Sequence, residues 1–221
     1  MDSQFLIHSP VLDSEHLIYS EEIVVKILIV GANGLLGSGA VAALSKDNEI
    51  IQASRTGEVS VDLTDPESIA AMYAKVGKVD AVISATGKVP FKTLSELTLA
   101  DYQSGINDKV LGQVELVRQG LDYVNDGGSF TLTTGILERA AIPTGVVASL
   151  SNGALESFVM AAAIEMPRGM RINVVSPSVL VEAPGYHSYF VGFEQVTLKA
   201  CGRAYAKSVN GKKNGHVYKV G

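Results

Sequence analysis

Cysteine is almost absent. The single Cys201 among 221 residues excludes an internal disulfide, so the fold must rest on a buried core, and a reducing, cytoplasmic setting is expected. Long apolar runs are missing as well. The most apolar early stretch, IVVKILIV (23–30), is too short to cross a bilayer and carries Lys26, so no membrane partner is expected. Positive charge is thin: lysine and arginine number 18 against 23 acids. The adjacent pair Lys212-Lys213 sits in the turn-like NGKKNG, which reads as a solvated turn, and no nucleic-acid partner is expected. The stretch MDSQFLIHSPVLDSEHLIYSEE carries acids and no basic start, unlike a secretory signal. His8, His16 and His216 share no spacing with other ligand-forming residues, so no metal site is expected.

What the chain does have is hydrophobic material, 47% of its residues, in a regular order. Short β-branched runs alternate with longer helical stretches. VVKILIV (24–30), EIIQAS (49–54), VSVDL (59–63), VDAVISA (79–85), SFTLTT (129–134), RINVVS (171–176) and HVYKV (216–220) read as strands. Helices are expected over 34–46, 66–76, 100–124, 145–166 and 194–209, the fourth apolar nearly all round. The 100–124 helix is expected to stop at Asp126-Gly127-Gly128. Near-continuous apolar strands between helices imply an α/β fold: one doubly wound, Rossmann-type parallel sheet with helices on both faces, in a single domain over 25–221. Residues 1–24 are expected outside that core, as an extension ahead of a true start at Val25 or as an arm on a partner.

The most specific motif is VGANGLLGSG (30–39), between the first strand and the first helix. Gly31, Gly34 and Gly37 have the spacing of a phosphate-binding turn: a sharp turn, close backbone approach to a pyrophosphate, and tight helix packing. The free N–H groups of the helix start then favour an anion. The second strand ends in ASRTGE (53–58). An NAD site would place an acid here to accept the ribose hydroxyls; Ser54 and Arg55 instead suit the 2′-phosphate of NADP.

These motifs resemble the short-chain dehydrogenase/reductase family over about residues 25–221. GANGLLG is like its glycine loop, VDLTD (61–65) like the segment that approaches the adenine, SATG (84–87) like its Asn-Asn-Ala-Gly, and INVVSP like its sixth strand. The resemblance implies a cofactor site with Gly31, Asn33, Gly34, Leu35, Leu36 and Gly37 at the phosphates and Ser54, Arg55, Asp62 and Leu63 at the adenosine. It places Ser84, Ala85, Thr86, Gly87, Thr133, Asn152, Pro177 and Leu180 along the rest of the NADP molecule. It also implies a homo-oligomer, a dimer or tetramer, and a small-molecule substrate.

The family's acid–base pair is missing. Aligning SNGALESF (151–158) with the usual SKAALESF puts Ala148 where the family has Tyr and Asn152 where it has Lys; the usual Ser falls on Gly135. The usual Asn falls near Asn107 or, if Gly112 sets the register, on Lys109. Candidate replacements are Thr134 at the end of the fifth strand, Lys109 as a cation, Asn152 as a ribose ligand, and His187 in the loop PSVLVEAPGYHSYF (177–190), where the family keeps a substrate lid. Two readings stay open: an NADP-dependent oxidoreductase with an altered acid, or an NADP(H)-binding sensor or regulator on the same scaffold.

Overall fold

The computed structural model describes residues 24–221. The expectation for 1–24 therefore lies outside the described residues, apart from exposed Val24. The sheet has seven parallel strands in the order β3-β2-β1-β4-β5-β6-β7. The strands are β1 (Val25–Val30), β2 (Asn48–Ser54), β3 (Val59–Ser60), β4 (Val79–Ser84), β5 (Val124–Thr133), β6 (Arg171–Pro177) and β7 (Val217–Val220). The order reverses between β1 and β4, where the carboxyl ends of a doubly wound sheet open a crevice.

Because β1 is covered on both sides, its residues alternate between two cores instead of between core and water. Leu28 and Val30 join the layer under α2 (Pro66–Val76), α4 (Gly112–Gly120) and α5 (Val146–Ala162), with Met72, Leu116 and Val159. Ile27 and Ile29 join the layer under α1 (Leu35–Leu44) and α6 (Leu198–Asn210), with Leu44, Tyr205 and Val209. Each such fully buried aliphatic side chain stabilises the fold by about 1.5–3 kcal/mol. Cys201 is buried in the second layer, and burial pushes its thiol up to about 11, as suits a packing residue.

Helix α2 starts and ends as its sequence dictates. The Asp65 carboxylate accepts the Glu67 N–H at 2.9 Å, Pro66 opens the helix, and Gly77 follows it with φ 71°. The 100–124 helix differs from expectation. It is α3 (Leu99–Gly105), a π turn (Ile106–Leu111) and α4, which ends at Gly120. Val124 already pairs with Val79, so Asp126-Gly127-Gly128 form an irregular stretch within β5 instead of a helix stop. The cause is tertiary: Tyr123 stacks on buried Tyr73 at 5.0 Å, and the Arg168 guanidinium holds the Leu121 and Val124 carbonyls and the Asp126 carboxylate. Helix α6 likewise begins later than expected, at Leu198, where the Thr197 hydroxyl caps it.

A buried polar seam ties β5 to α6. Thr131 Oγ1 lies 2.7 Å from Ser208 Oγ, and Thr133 Oγ1 lies 2.7 Å from the Tyr205 hydroxyl. Thr133 donates its one hydrogen to the Ser84 carbonyl, so Tyr205 must donate to Thr133. Replacing Thr133 by Val strands two buried groups, whereas Tyr205→Phe strands none. Thr133→Val is therefore expected to cost about 1–3 kcal/mol and Tyr205→Phe about 0.5–1.5 kcal/mol, read from urea unfolding; the opposite order would contradict this donor assignment.

Candidate active site

A cleft of about 900 Å³ lies over the carboxyl ends of β1, β4, β5 and β6. Its floor is the glycine turn. Gly31 has φ +83°, and a Cβ there would sit 2.6 Å from the Ala85 carbonyl oxygen. A Cβ on Gly37 would overlap the Gly31 carbonyl. The turn is closed by Gly34 N–H donating to Gly31 O at 2.9 Å. Helix α1 has Gly34 as N-cap with no side-chain cap, and Leu35 and Leu36 line the cleft, so the open first turn faces it. Asn33 Nδ2 donates to Ser54 Oγ at 2.9 Å, which joins this turn to the end of β2.

Arg55 is exposed on the cleft rim, next to Asp62 and Leu63 in the wall. Asp62 Oδ1 accepts both the N–H and the hydroxyl of Thr64, at 2.9 and 2.8 Å, and these bonds, helped by the Arg55 charge, hold its carboxyl below the usual range. Ser84, expected along the cofactor, is instead fully buried and does not line the cleft; its Oγ lies 2.8 Å from Thr86 Oγ1, and Ala85, Thr86 and Gly87 form the wall with Pro177 and Leu180 opposite.

The candidate chemical groups divide sharply. Thr133 and Thr134 both lie at the cleft, yet neither hydroxyl is free: Thr133 serves Ser84 and Tyr205, and Thr134 donates to Glu156 Oε1 at 2.9 Å. Burial raises the Glu156 carboxyl, the largest effect on it. His187 does not line the cleft; its Nε2 lies 2.9 Å from the Leu180 carbonyl, in a 3-10 turn over Pro184–Tyr189. Asn107 is exposed. Lys109, on the π turn, is buried and lines the cleft, with Ala148 and Asn152 also in its wall. Asn152 Nδ2 donates to the Gly135 carbonyl at 3.1 Å, which leaves its buried Oδ1 with no donor among the described residues.

Gln113 escaped the sequence reading. It is fully buried, and its amide clamps the π turn to β5: Nε2 donates to the Lys109 and Thr133 carbonyls at 3.0 and 3.1 Å, and Oε1 accepts the Thr133 N–H at 3.0 Å. The available signal was its place on the apolar stripe Val110, Gln113, Leu116, Val117, where a polar side chain is buried only with hydrogen-bond partners. Among the described residues no cluster of side chains can hold a metal ion, and no helix is long and apolar enough to cross a membrane.

A family model described as enoyl-(acyl carrier protein) reductase matches residues 26–210. A hydroxynaphthalene reductase of Aspergillus fumigatus is 29% identical over 137 residues, 59% of this chain and 50% of that protein. A tetrahydroxynaphthalene reductase of Pyricularia oryzae is 28% identical over 169 residues, 74% of this chain and 58% of that protein. The chain thus spans little more than half the length of these curated relatives. Among solved structures, the protein lin1944 of Listeria innocua superposes with a TM-score of 0.88 at 47% identity, covering 90% of this chain and all of that one. A small-chain dehydrogenase in complex with NADPH superposes with a TM-score of 0.81 at 21% identity, covering 89% of this chain and 96% of that one, a likeness of fold.

Gln113→Leu keeps the volume and removes the clamp. It is expected to cost about 1–3 kcal/mol, because the Thr133 N–H is left buried and unpaired, and to speed amide exchange in the π turn; unchanged unfolding and exchange would show that the clamp does not hold it.

Proposed function

The chain belongs to the short-chain dehydrogenase/reductase family, and we propose that it is an NADP-dependent oxidoreductase acting on a small molecule in the cleft. The observation that carries this is the fit of the cleft to a dinucleotide. The glycine turn is a cradle that any Cβ at Gly31 or Gly37 would fill, and the buried Asn152 Oδ1 is an orphan acceptor placed for a hydroxyl. In this reading the open first turn of α1, with Gly34, Leu35 and Leu36, holds the pyrophosphate, and Asn152 accepts from the nicotinamide ribose. Ser54 and Arg55 take the 2′-phosphate, while Asp62 and Leu63 flank the adenine. Ala85, Thr86, Gly87, Pro177 and Leu180 border the remaining length. Bound NADPH supplies a hydride. Of the four candidate catalytic groups, Lys109 lines the cleft with no hydrogen bond from its ammonium among the described residues and Asn152 keeps a buried acceptor without a partner there, whereas Thr134 and His187 are spent on Glu156 and Leu180.

A second reading, an NADP(H)-binding sensor or regulator, draws on Ala148 and Gly135, neither of which carries a proton donor. Turnover of any carbonyl by the purified protein decides between the two. The solved relative in complex with NADPH lends the cofactor assignment loose support.

Arg55→Ala is expected to weaken NADPH binding about ten- to a hundredfold, measured by fluorescence titration, and to leave NADH nearly unaffected. Equal losses for both cofactors would overturn the choice of NADP.

The outer face of α5 carries Leu150, Gly153 and Met160, and Ile164 follows in the turn that ends the helix at Ala162 instead of the expected 166, with Met160 and Ile164 68% and 89% exposed. A second copy of the chain across a twofold axis would cover this stripe. Sedimentation is expected to give a dimer, and Met160→Glu a shift toward monomer; a wild-type monomer at micromolar concentration would refute this.

A further inference from the structure

We propose that Lys109 receives and protonates the substrate oxygen, in the place the family gives to tyrosine, and that the substrate is a flat, apolar carbonyl compound. This rests on the oxidoreductase reading above.

Lys109 is the one charged side chain among the buried described residues, at 8% exposure. Burying an ammonium is costly unless it is paired. No carboxylate pairs with it among the described residues. Its neighbour Asp108 accepts the Lys88 N–H at 2.6 Å, and the stem of Lys109 lies across Gly87, where a Cβ would come within 2.6 Å of its Cγ. Two features hold the residue there: the absence of a side chain at Gly87 and the Gln113 amide on its carbonyl. Burial lowers its ammonium to about 8, opposed only by the Asp108 charge. A donor near that value is protonated at neutral pH and gives up its proton readily.

The rest of the cleft leaves this task to Lys109. The titratable or charged residues of its wall are Arg55, Asp62, Lys88, Asp108, Lys109 and Tyr186. Arg55 and Asp62 belong to the β2–β3 end, beyond the glycine turn; Lys88 is exposed to water, and the Asp108 carboxylate is held by the Lys88 N–H. Helix α5 contributes Ala148, which makes room, and Asn152, whose free atom is an acceptor. Just past β5, Thr134 donates its hydroxyl to Glu156. Tyr186 is half exposed and packs at 6.3 Å against Phe91. One stretch of the wall is apolar, where Val89, Phe91, Ile136, Leu137 and Phe190 pack together beside Ala148, which suits a flat hydrocarbon frame bearing a carbonyl oxygen.

The step balances. The carbonyl carbon gains a hydride from the reduced nicotinamide, and the C=O π pair moves to oxygen. That oxygen takes a proton from Lys109 Nζ, and the neutral amine regains one from water. The carbonyl compound is reduced to an alcohol, and NADPH is oxidised to NADP⁺.

The test uses p-nitrophenol as a stand-in for a substrate oxygen carrying negative charge, added to the protein with NADP⁺. Beside Lys109 the bound dye is expected to be phenolate below its own pKa, read as absorbance near the phenolate band. Lys109→Met is expected to abolish that band and to leave the Kd for NADPH within about threefold. Lys109→Arg, a cation that does not yield its proton, is expected to keep the band but to reduce 9,10-phenanthrenequinone at least tenfold more slowly. The wild-type rate is expected to fall on the alkaline side, and neither variant to show that limb. Loss of the buried charge also predicts a stability signature. The folded state binds fewer protons than the unfolded state between about 8 and 10.5, so wild-type stability rises across that window and Lys109→Met removes the rise. A wild-type protein that binds NADPH but gives no phenolate band overturns the proposal. So does a band that survives in Lys109→Met, or one lost instead in Tyr186→Phe. A tenfold loss of NADPH affinity in Lys109→Met, with the band intact, would assign Lys109 to the cofactor. Failure of the wild-type protein to bind NADPH would sink the oxidoreductase reading itself, whatever the dye does.

Discussion

Everything at the ligand end of the sheet depends on how closely three strand ends approach one another at Gly31. The Gly31 and Ala32 N–H groups both donate to the Ala53 carbonyl of β2, and the Ala85 N–H beyond β4 donates to Val30 O at 2.9 Å. The turn is thereby pinned from both neighbours, with no space for a side chain between Gly31 and Ala85. That contact fixes where α1 begins, and hence where its open N–H groups point. A glycine turn of this kind is a property of backbone spacing, and it survives extensive change in the side chains around it.

Such change is what the other end of the cleft displays. Helix α5 contains no tyrosine and no lysine, yet it is a core element: Val147, Leu155 and Val159 are buried, and Asn152 fastens it to the Gly135 carbonyl. Those roles need a helix of this length in this place and do not need an acid. Packing and chemistry draw on different residues of one helix, so one can be altered while the other is retained.

The strands, their parallel order and the glycine turn were legible in the sequence, because each follows from a local rule: β-branched runs buried on both faces, Pro66 opening α2, glycines spaced for a tight turn. The misplaced end of the 100–124 helix was not local. Nothing in QGLDYVNDGG announces that Tyr123 will stack on Tyr73, or that Arg168, more than forty residues later, will take the Leu121 and Val124 carbonyls. The same holds at the site. The sequence left the family's usual Asn position open between Asn107 and Lys109; that Asn107 is exposed and Lys109 buried follows from the π turn, which the Gln113 amide ties to β5. That Thr134 and His187 are already committed to Glu156 and Leu180 depends on contacts between distant elements, which no spacing rule encodes.

The π turn over Ile106–Leu111 has a meaning in terms of chain length. A wide turn inside an α-helix accommodates one more residue than the flanking turns, so it is the trace that a one-residue insertion leaves when both ends of the helix are anchored. Here the ends are anchored, by the Thr98–Asp101 capping box before it and by Gly112 against Leu63 after it. Removing one residue would restore a regular helix without moving either anchor, but it would turn the intervening residues by about 100° relative to β4 and β5. The residue then presented to the cleft would be a neighbour of Lys109 instead. In such a helix the identity of the side chain facing the cleft is set by a count of residues as much as by substitution, and a single codon gained or lost exchanges one for another.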